Sequence, residues 1–427
     1  MLRVNVGMTK LNSKSSQVLS SNRAKELTDS LIQYGLWFFA FTSPLSISLS
    51  QGSLIFLLLV SAFKWISGDR GFVRRTPFDV PFFFFILVTL IASVTSVNPP
   101  LSIIQGLKGL WLISIVYLIA FHVREERFMK QFVIFLLAGT TLEILYGVAQ
   151  AFSGLEHIFY RASEQVTVPR GFFSHKMTFA GFLMINSQIV FGLFLLSRSH
   201  QEKIVWGVMT TLLITGILIS RTRGVWLGLL SAWLLMGWLR GKTKVVLSLL
   251  IAFLVFAFVL ESVSHLGIVD RFKSIFSVEK NMDRFYIWGS TLDMIQDYPL
   301  LGTGPGTYKE VIPLYREKFD YPYLNRAHAH NNFIQQAAEK GLLGFFALLW
   351  LVLLMLRVGL STYFDIDERQ YFEKGLALGS LGAIVSFHIE GMFEANFGDE
   401  EMAMLLWVVI GLLHALQALS KSRERSQ

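Results

Sequence analysis

The sequence is dominated by apolar runs of about 20 residues, which recur from Leu31 almost to the C-terminus. A helix of that length crosses the hydrocarbon core of a bilayer. Only helices and closed barrels satisfy their backbone hydrogen bonds in lipid, and these runs are too long for barrel strands. A large soluble all-α protein is excluded because only 16% of the residues are charged, too few to cover its surface. The pattern therefore predicts an all-α integral membrane protein.

We predict about twelve transmembrane helices and one large loop that contains short amphipathic helices. Residues 1–30 lack the apolar core of a signal peptide, and we expect a flexible cytoplasmic tail there. The predicted organisation is this tail, spans one to nine over 31–263, the loop over 264–340, spans ten to twelve over 341–419, and a second tail over 420–427. The spans lie near 31–48, 51–66, 79–96, 103–121, 130–152, 177–197, 203–219, 224–239, 245–263, 341–359, 373–390 and 402–419.

The basic residues predict the orientation of these spans. Connections on one side hold 23 Lys and Arg residues, whereas the short connections near 97–102 and 391–401 hold none. Because cytoplasmic loops are rich in Lys and Arg, we expect both termini in the cytoplasm and the large loop on the opposite, outer face. The net charge of +8 follows this topology and not one face of a soluble module, so no nucleic acid is predicted. Cysteine is absent, which excludes thiolate chemistry.

Basic residues on the outer face require an anionic ligand or, alternatively, anionic lipid headgroups. The short turn between the seventh and eighth spans carries Arg221 and Arg223. We favour a snorkelling membrane anchor for Arg221. Arg223 precedes Gly224, which allows close approach, and we favour a guanidinium there that grips a diphosphate bidentately. Further candidate contacts on this face are Arg170 and Arg326.

Arg284 stands at the start of a predicted amphipathic helix in the large loop. Its apolar positions are Phe285, Trp288, Leu292 and Ile295, at helical spacing, and they would face the membrane surface or another span. Trp288 follows Arg284 by one turn, so an interfacial anchor with a cation–π pair is as compatible with the pattern as ligand binding.

A glycine-rich segment, Leu301 to Tyr308, follows that helix and superficially resembles a phosphate-binding loop. No Gly-Lys-Ser/Thr follows it, and no parallel sheet is predicted around it. Nucleotide binding is therefore excluded, and we predict a turn-rich connector.

The segment His328-Ala329-His330-Asn331-Asn332 carries the most chemical information. Asn331 or Asn332 can cap the helix that leads into the tenth span, which places the histidines at a helix start on the outer surface. A neutral imidazole is suited to taking a proton from a sugar hydroxyl. For His328 in particular, a structural hydrogen bond at the cap stays open. The two histidines suit zinc, but no third and fourth ligand occurs at recognisable spacing, so no metal is predicted.

An acidic run lies on the same outer face, in the connection before the last span. We expect a solvated loop there for every member except Glu390. The residues are Glu390, Glu394, Asp399, Glu400 and Glu401.

In their order, these motifs resemble the O-antigen ligase and polymerase superfamily of bacterial membrane glycosyltransferases. The matching pieces are the Arg223-Gly-Val-Trp-Leu-Gly turn, the stretch from Arg284 to Gly306, and the stretch from His328 to Gly344. They cover roughly residues 165–350. The resemblance implies a multi-pass inner-membrane enzyme that takes a glycan from undecaprenyl diphosphate at the periplasmic face. A ligase passes it to lipid A–core oligosaccharide, by an inverting transfer without metal or cofactor.

Residue by residue, the resemblance implies that Arg223 and Arg284 hold the diphosphate and that His330 activates the acceptor hydroxyl. Alternatives in the same superfamily are a polymerase of O-antigen or exopolysaccharide and a protein O-oligosaccharyltransferase. An alternative of another class is a glycolipid transporter, in which the binding groups would be buried midway across the bilayer. The expected substrate-binding residues are Arg170, Arg221, Arg326, His328, Trp288 and Asn331.

Overall fold

The computed structural model describes residues 25–155, 168–315 and 327–424, and these residues form helices and no strand. A short 3-10 turn, Trp111–Ile113, joins α4 to α5. The helices are α1 (25–42), α2 (Ile47–Ile66), α3 (Asp79–Val94), α4 (Pro99–Leu110), α5 (Ser114–His122), α6 (Glu126–Ser153), α7 (Lys176–Leu196), α8 (His200–Ser220), α9 (Arg223–Leu239), α10 (Thr243–Ser264), α11 (Ile268–Lys273), α12 (Met282–Asp297), α13 (Tyr308–Val311), α14 (Asn332–Asp365), α15 (Tyr371–Glu390) and α16 (Glu400–Glu424).

Eight segments within the described ranges are long and apolar enough to cross a membrane. They are α2, α4 with α5, α6, α7, α8, α10, α14 and α16. The apolar helices α3 and α9 are shorter, at 16 and 17 residues. The all-α membrane class is therefore confirmed, and a helix occurs at each of the twelve predicted places. The number of crossings stays a prediction.

Burial separates a central helix from peripheral ones. In α7, 94% of the most apolar window is buried inside the protein, whereas in α10 only 11% is buried. Phe258 on α10 keeps 66% of its surface exposed, which suits a helix whose solvent is lipid. Small residues allow α15 to approach α7 closely: a Cβ on Gly192 would lie 2.4 Å from the carbonyl oxygen of Gly375. Such glycine contacts are typical of helices packed in membranes.

The connections between helices gather at two ends of the bundle. At one end, the amide of Val97 donates to the carbonyl of Thr303, and the hydroxyl of Thr178 donates to Asp399 Oδ2 at 2.5 Å. We call this the motif end, because it holds residues 95–98, 168–175, 221–222, 265–315, 327–331 and 391–399. At the opposite end, Arg198 donates to the carbonyl of Glu368, and Arg423 pairs with Glu126. Successive connections between the long helices lie alternately at the motif end and at the opposite end, in the order that the sequence predicts.

The glycine-rich segment docks onto a break in α14. Gly341 has φ 65° and ψ −169°, which interrupts the helix and leaves its neighbouring backbone groups without helical partners. The amides of Leu342 and Leu343 donate to the carbonyls of Pro299 and Leu300. In return, the amides of Thr303 and Gly304 donate to the carbonyls of Ala338 and Glu339. The predicted turn-rich connector is thus a backbone clamp that fixes the start of α14.

Candidate functional site

The histidine segment is held in place through its backbone. Ala329 is fully buried; its amide donates to Gln335 Oε1 at 2.7 Å, and its carbonyl accepts from Trp288 Nε1 at 3.0 Å. His330 has φ 50°, in the left-handed region that is uncommon outside glycine. Asn331 caps α14, since its Oδ1 accepts from the amides of Phe333 and Ile334. The predicted cap is confirmed, and it belongs to Asn331.

The connection between α15 and α16 fastens the same segment from the other side. Asn331 Nδ2 donates to the carbonyl of Met392 at 3.1 Å, and the amide of Asn332 donates to the carbonyl of Gly391 at 2.7 Å. The side chain of Asn332 also bonds Asn396 Oδ1 and accepts from the amide of Phe397. These bonds join two parts of the chain that are separated by α14 and α15.

Glu394 lies in this connection and completes a cluster with both histidines. Its Oε1 lies 3.0 Å from His330 Nδ1 and 3.6 Å from His328 Nε2, and the two imidazole centroids are 4.2 Å apart. The side chains of His330 and Glu394 are each only 12% exposed. The prediction of a solvated loop is wrong for Glu394. It failed because the ion-pair partners of Glu394 come from a distant segment.

The electrostatics of this cluster keep Glu394 ionised. Burial alone would raise the pKa of Glu394, since it penalises the charged form. The neighbouring imidazoles of His330 and His328 favour the carboxylate form and outweigh that effect, so the pKa of Glu394 lies below its ordinary value. A carboxylate 3.0 Å from Nδ1 favours the ring proton on that nitrogen, which leaves Nε2 of His330 as the basic nitrogen.

Arg223 and Arg284 line one cavity of about 170 Å³ at the motif end, together with Trp288 and Phe393. Arg223 donates from Nη1 to the carbonyl of Ser274 at 2.7 Å, and its positive charge acts on that of Arg284. The guanidinium carbon of Arg284 lies 5.8 Å from the ring centroid of Phe393. The ring beneath Arg284 is therefore Phe393, and not Trp288 as the anchoring alternative expected.

The connection between α15 and α16 also lines a larger cavity, of about 650 Å³. Phe393 lines the small cavity, and Glu394, the next residue, lines the large one with His328. Other polar side chains in its wall are Lys176, Gln335, Gln336, Lys340 and Glu390. Glu394 thus connects the two histidines to the larger cavity, whereas His330 itself lines neither of these two cavities.

Arg221 and Arg170 lie in different surroundings. Arg221 donates from Nη1 to the carbonyl of Leu266 at 2.7 Å, which binds the turn to the segment after α10. Arg170 donates from Nη1 to the carbonyl of Ser174, and its amide bonds Gln150 Oε1. Neither arginine lines the cavity of Arg223 and Arg284. Arg326 lies outside the described residues.

The face of α12 that packs against the protein differs from the face that its apolar pattern predicts. On α12, the buried side chains are Ile287, Ser290, Thr291 and Met294. Phe285 and Leu292, on the predicted apolar face, are more than half exposed. That exposure fits the expected contact with the membrane surface, and it leaves Trp288 to reach Ala329.

One sequence comparison bears on this arrangement. Residues 208–349, about a third of the chain, match a family model described as O-antigen ligase. Those residues are therefore similar to the O-antigen ligase family, and the match supports membership of that superfamily. Proteins of this family are glycosyltransferase-like enzymes. The matched range contains Arg223, Arg284, Trp288, His328 and His330, whereas Arg170 and Glu394 lie outside it. No curated protein matches the chain.

The position of these residues also bears on the transporter alternative. Arg223 begins α9, Arg284 is in the first turn of α12, and His330 immediately precedes the cap of α14. All three lie at the motif end of the bundle and none midway along a long helix. A transporter would require these groups midway across the bilayer, and that placement is not observed.

Proposed function

We propose that this protein is an O-antigen ligase, which transfers a glycan from undecaprenyl diphosphate to lipid A–core oligosaccharide at the periplasmic face of the inner membrane. The observation that carries the proposal is the position of His330. Its Nδ1 lies 3.0 Å from Glu394, which lines the larger cavity, and Phe393, the residue before Glu394, lines the cavity of the two arginines. Two consecutive residues, Phe393 and Glu394, thus connect a candidate base with a pair of cations and with space for a glycan.

In the proposed reaction, the acceptor hydroxyl loses its proton to Nε2 of His330 as its oxygen attacks the anomeric carbon of the donor sugar. The bond from that carbon to the diphosphate oxygen breaks, and attack from the opposite side inverts the configuration. The leaving diphosphate gains negative charge, which Arg223 and Arg284 stabilise from the small cavity. Arginine keeps its charge under such conditions and binds phosphate oxygens bidentately.

Glu394 is a positioning residue in this proposal. Its negative charge beside Nδ1 favours the tautomer in which Nδ1 carries the proton and Nε2 the lone pair. It also stabilises the imidazolium that forms when the proton arrives. The buried backbone of Ala329, fixed by Trp288 and Gln335, keeps His330 in its left-handed conformation.

The test is transfer by purified protein in lipid nanodiscs, from undecaprenyl-diphosphate-linked glycan to lipid A–core. Arg223→Ala, Arg284→Ala and His330→Ala are each expected to lower the transfer rate by about 10²- to 10⁴-fold. Arg369→Ala and His200→Ala remove the same side-chain types from exposed positions far from the motif end, and both should retain wild-type rates. Wild-type rates in all three site variants would overturn the proposal.

A second acceptor separates the ligase from a polymerase. Offered a lipid-linked repeat unit in place of lipid A–core, a ligase should leave it unextended. Extension of the repeat unit with no transfer to lipid A–core would identify a polymerase of the same superfamily instead. Transfer to a protein acceptor alone would identify an O-oligosaccharyltransferase.

A further inference from the structure

The cluster of His328, His330 and Glu394 offers three metal-ligating atoms that all lie within 4.8 Å of one another. Two imidazoles and one carboxylate are the ligand set of many zinc sites that keep a fourth position for water. The sequence alone did not indicate this set, because Glu394 belongs to a connection that follows two further helices.

The distances within the cluster are close to those that zinc needs. Bonds of about 2.0–2.1 Å at tetrahedral angles place neighbouring ligand atoms about 3.3–3.4 Å apart. Glu394 Oε1 lies 3.0 Å from His330 Nδ1 and 3.6 Å from His328 Nε2, so both separations differ from that value by a few tenths of an ångström. The ligand nitrogens of the two histidines also lie within 4.8 Å of each other, and the His328 side chain is 36% exposed.

The surroundings allow an ion to enter and to remain. His328 and Glu394 both line the cavity of about 650 Å³, which supplies a path and a place for a fourth, water ligand. The backbone that carries the histidines is held by Trp288, Gln335 and Asn331. A scaffold fixed in this way lowers the cost of ordering the ligands when metal binds.

We propose that His328, His330 and Glu394 form a Zn²⁺ site that inhibits glycan transfer. Zinc takes the lone pair of Nδ1 of His330, so the ring proton moves to Nε2. That nitrogen then carries a hydrogen and no longer accepts one from the acceptor hydroxyl. The ion therefore reverses the tautomer that Glu394 selects in the metal-free enzyme. Inhibition rests on the proposed role of His330 as base, whereas binding of zinc does not.

Binding is tested by calorimetric titration of Zn²⁺ into the purified, tag-free protein, with Co²⁺ as a spectroscopic probe of tetrahedral coordination. One equivalent of zinc is expected to bind the wild type. Glu394→Gln and His328→Asn should each weaken binding at least tenfold, whereas His200→Asn, which removes an exposed imidazole at the opposite end, should not. Thermal melts of each variant establish that it is folded. Absence of stoichiometric binding, or equal binding by all four proteins, would overturn the site.

Inhibition is tested in the same preparations with the lipid-linked donor. Zinc should lower wild-type transfer at least tenfold, EDTA should restore it, and Mg²⁺ should have no effect. Binding without inhibition would overturn the regulatory role and leave the site. Zinc binding in a protein that transfers no glycan under any condition would instead count against the proposed function.

Discussion

Gly341→Ala should destabilise the motif end strongly, because Gly341 is where α14 breaks. Its φ of 65° and ψ of −169° belong to a region that alanine avoids, at a cost of about 1–3 kcal/mol. A Cβ at Gly341 would also lie 2.1 Å from the carbonyl carbon and oxygen of Leu300. Relieving that contact separates the two segments and removes the bonds from Leu342 to Pro299 and from Leu343 to Leu300. Two such bonds contribute about 1–3 kcal/mol together.

The expected loss is therefore about 2–6 kcal/mol, measured as a lower midpoint of thermal unfolding by tryptophan fluorescence in detergent. The matched control is Gly52→Ala on α2, where a Cβ meets no atom within 4 Å and φ is not positive. That change should be neutral or stabilise by about 0.5–1 kcal/mol. If Gly341→Ala melts with the wild type and transfers glycan at the same rate, the clamp does not depend on this glycine, and the reasoning is refuted.

Four further outcomes are expected. Trp288→Phe removes the bond to the carbonyl of Ala329. It should lower kcat for transfer by about two- to twelvefold, which corresponds to the 0.5–1.5 kcal/mol of one hydrogen bond. An unchanged kcat would show that the bond does not position the base. Asn331→Ala removes the cap of α14 and should cost about 1 kcal/mol of stability in thermal melts. Because the pKa of Glu394 is lowered in the folded protein, its stabilising contribution is complete above the ordinary glutamate pKa of about 4.3 and is lost as the pH falls through the lower folded-state pKa. The difference in melting temperature between wild type and Glu394→Gln should therefore shrink only below that pH, and a difference that shrinks between pH 7 and 5 would contradict the assignment. EDTA should leave transfer undiminished in zinc-free buffer, and abolition by EDTA would mean that the reaction requires a metal.

The apolar runs alone determined the class of the fold and the place of each long helix. Their length and composition are local properties, and lipid imposes the helix on any such run because no other open structure satisfies the backbone. The cap at Asn331 was equally local, since a side chain bonds amides two and three residues along the same chain. The different roles expected of Arg221 and Arg223 stay a prediction, since both side chains donate to backbone carbonyls, of Leu266 and Ser274.

Tertiary structure decided what these residues meet. The partner of His330 comes from beyond α15, the ring beneath Arg284 is Phe393, and Trp288 reaches the carbonyl of Ala329. The glycine-rich segment acts as a backbone clamp because α14 is interrupted at Gly341. A periodic pattern reports which face of a helix is apolar, but contacts between distant segments depend on how all the helices pack. For that reason the sequence identified the histidines and arginines of the candidate site, and only the packed bundle supplied Glu394.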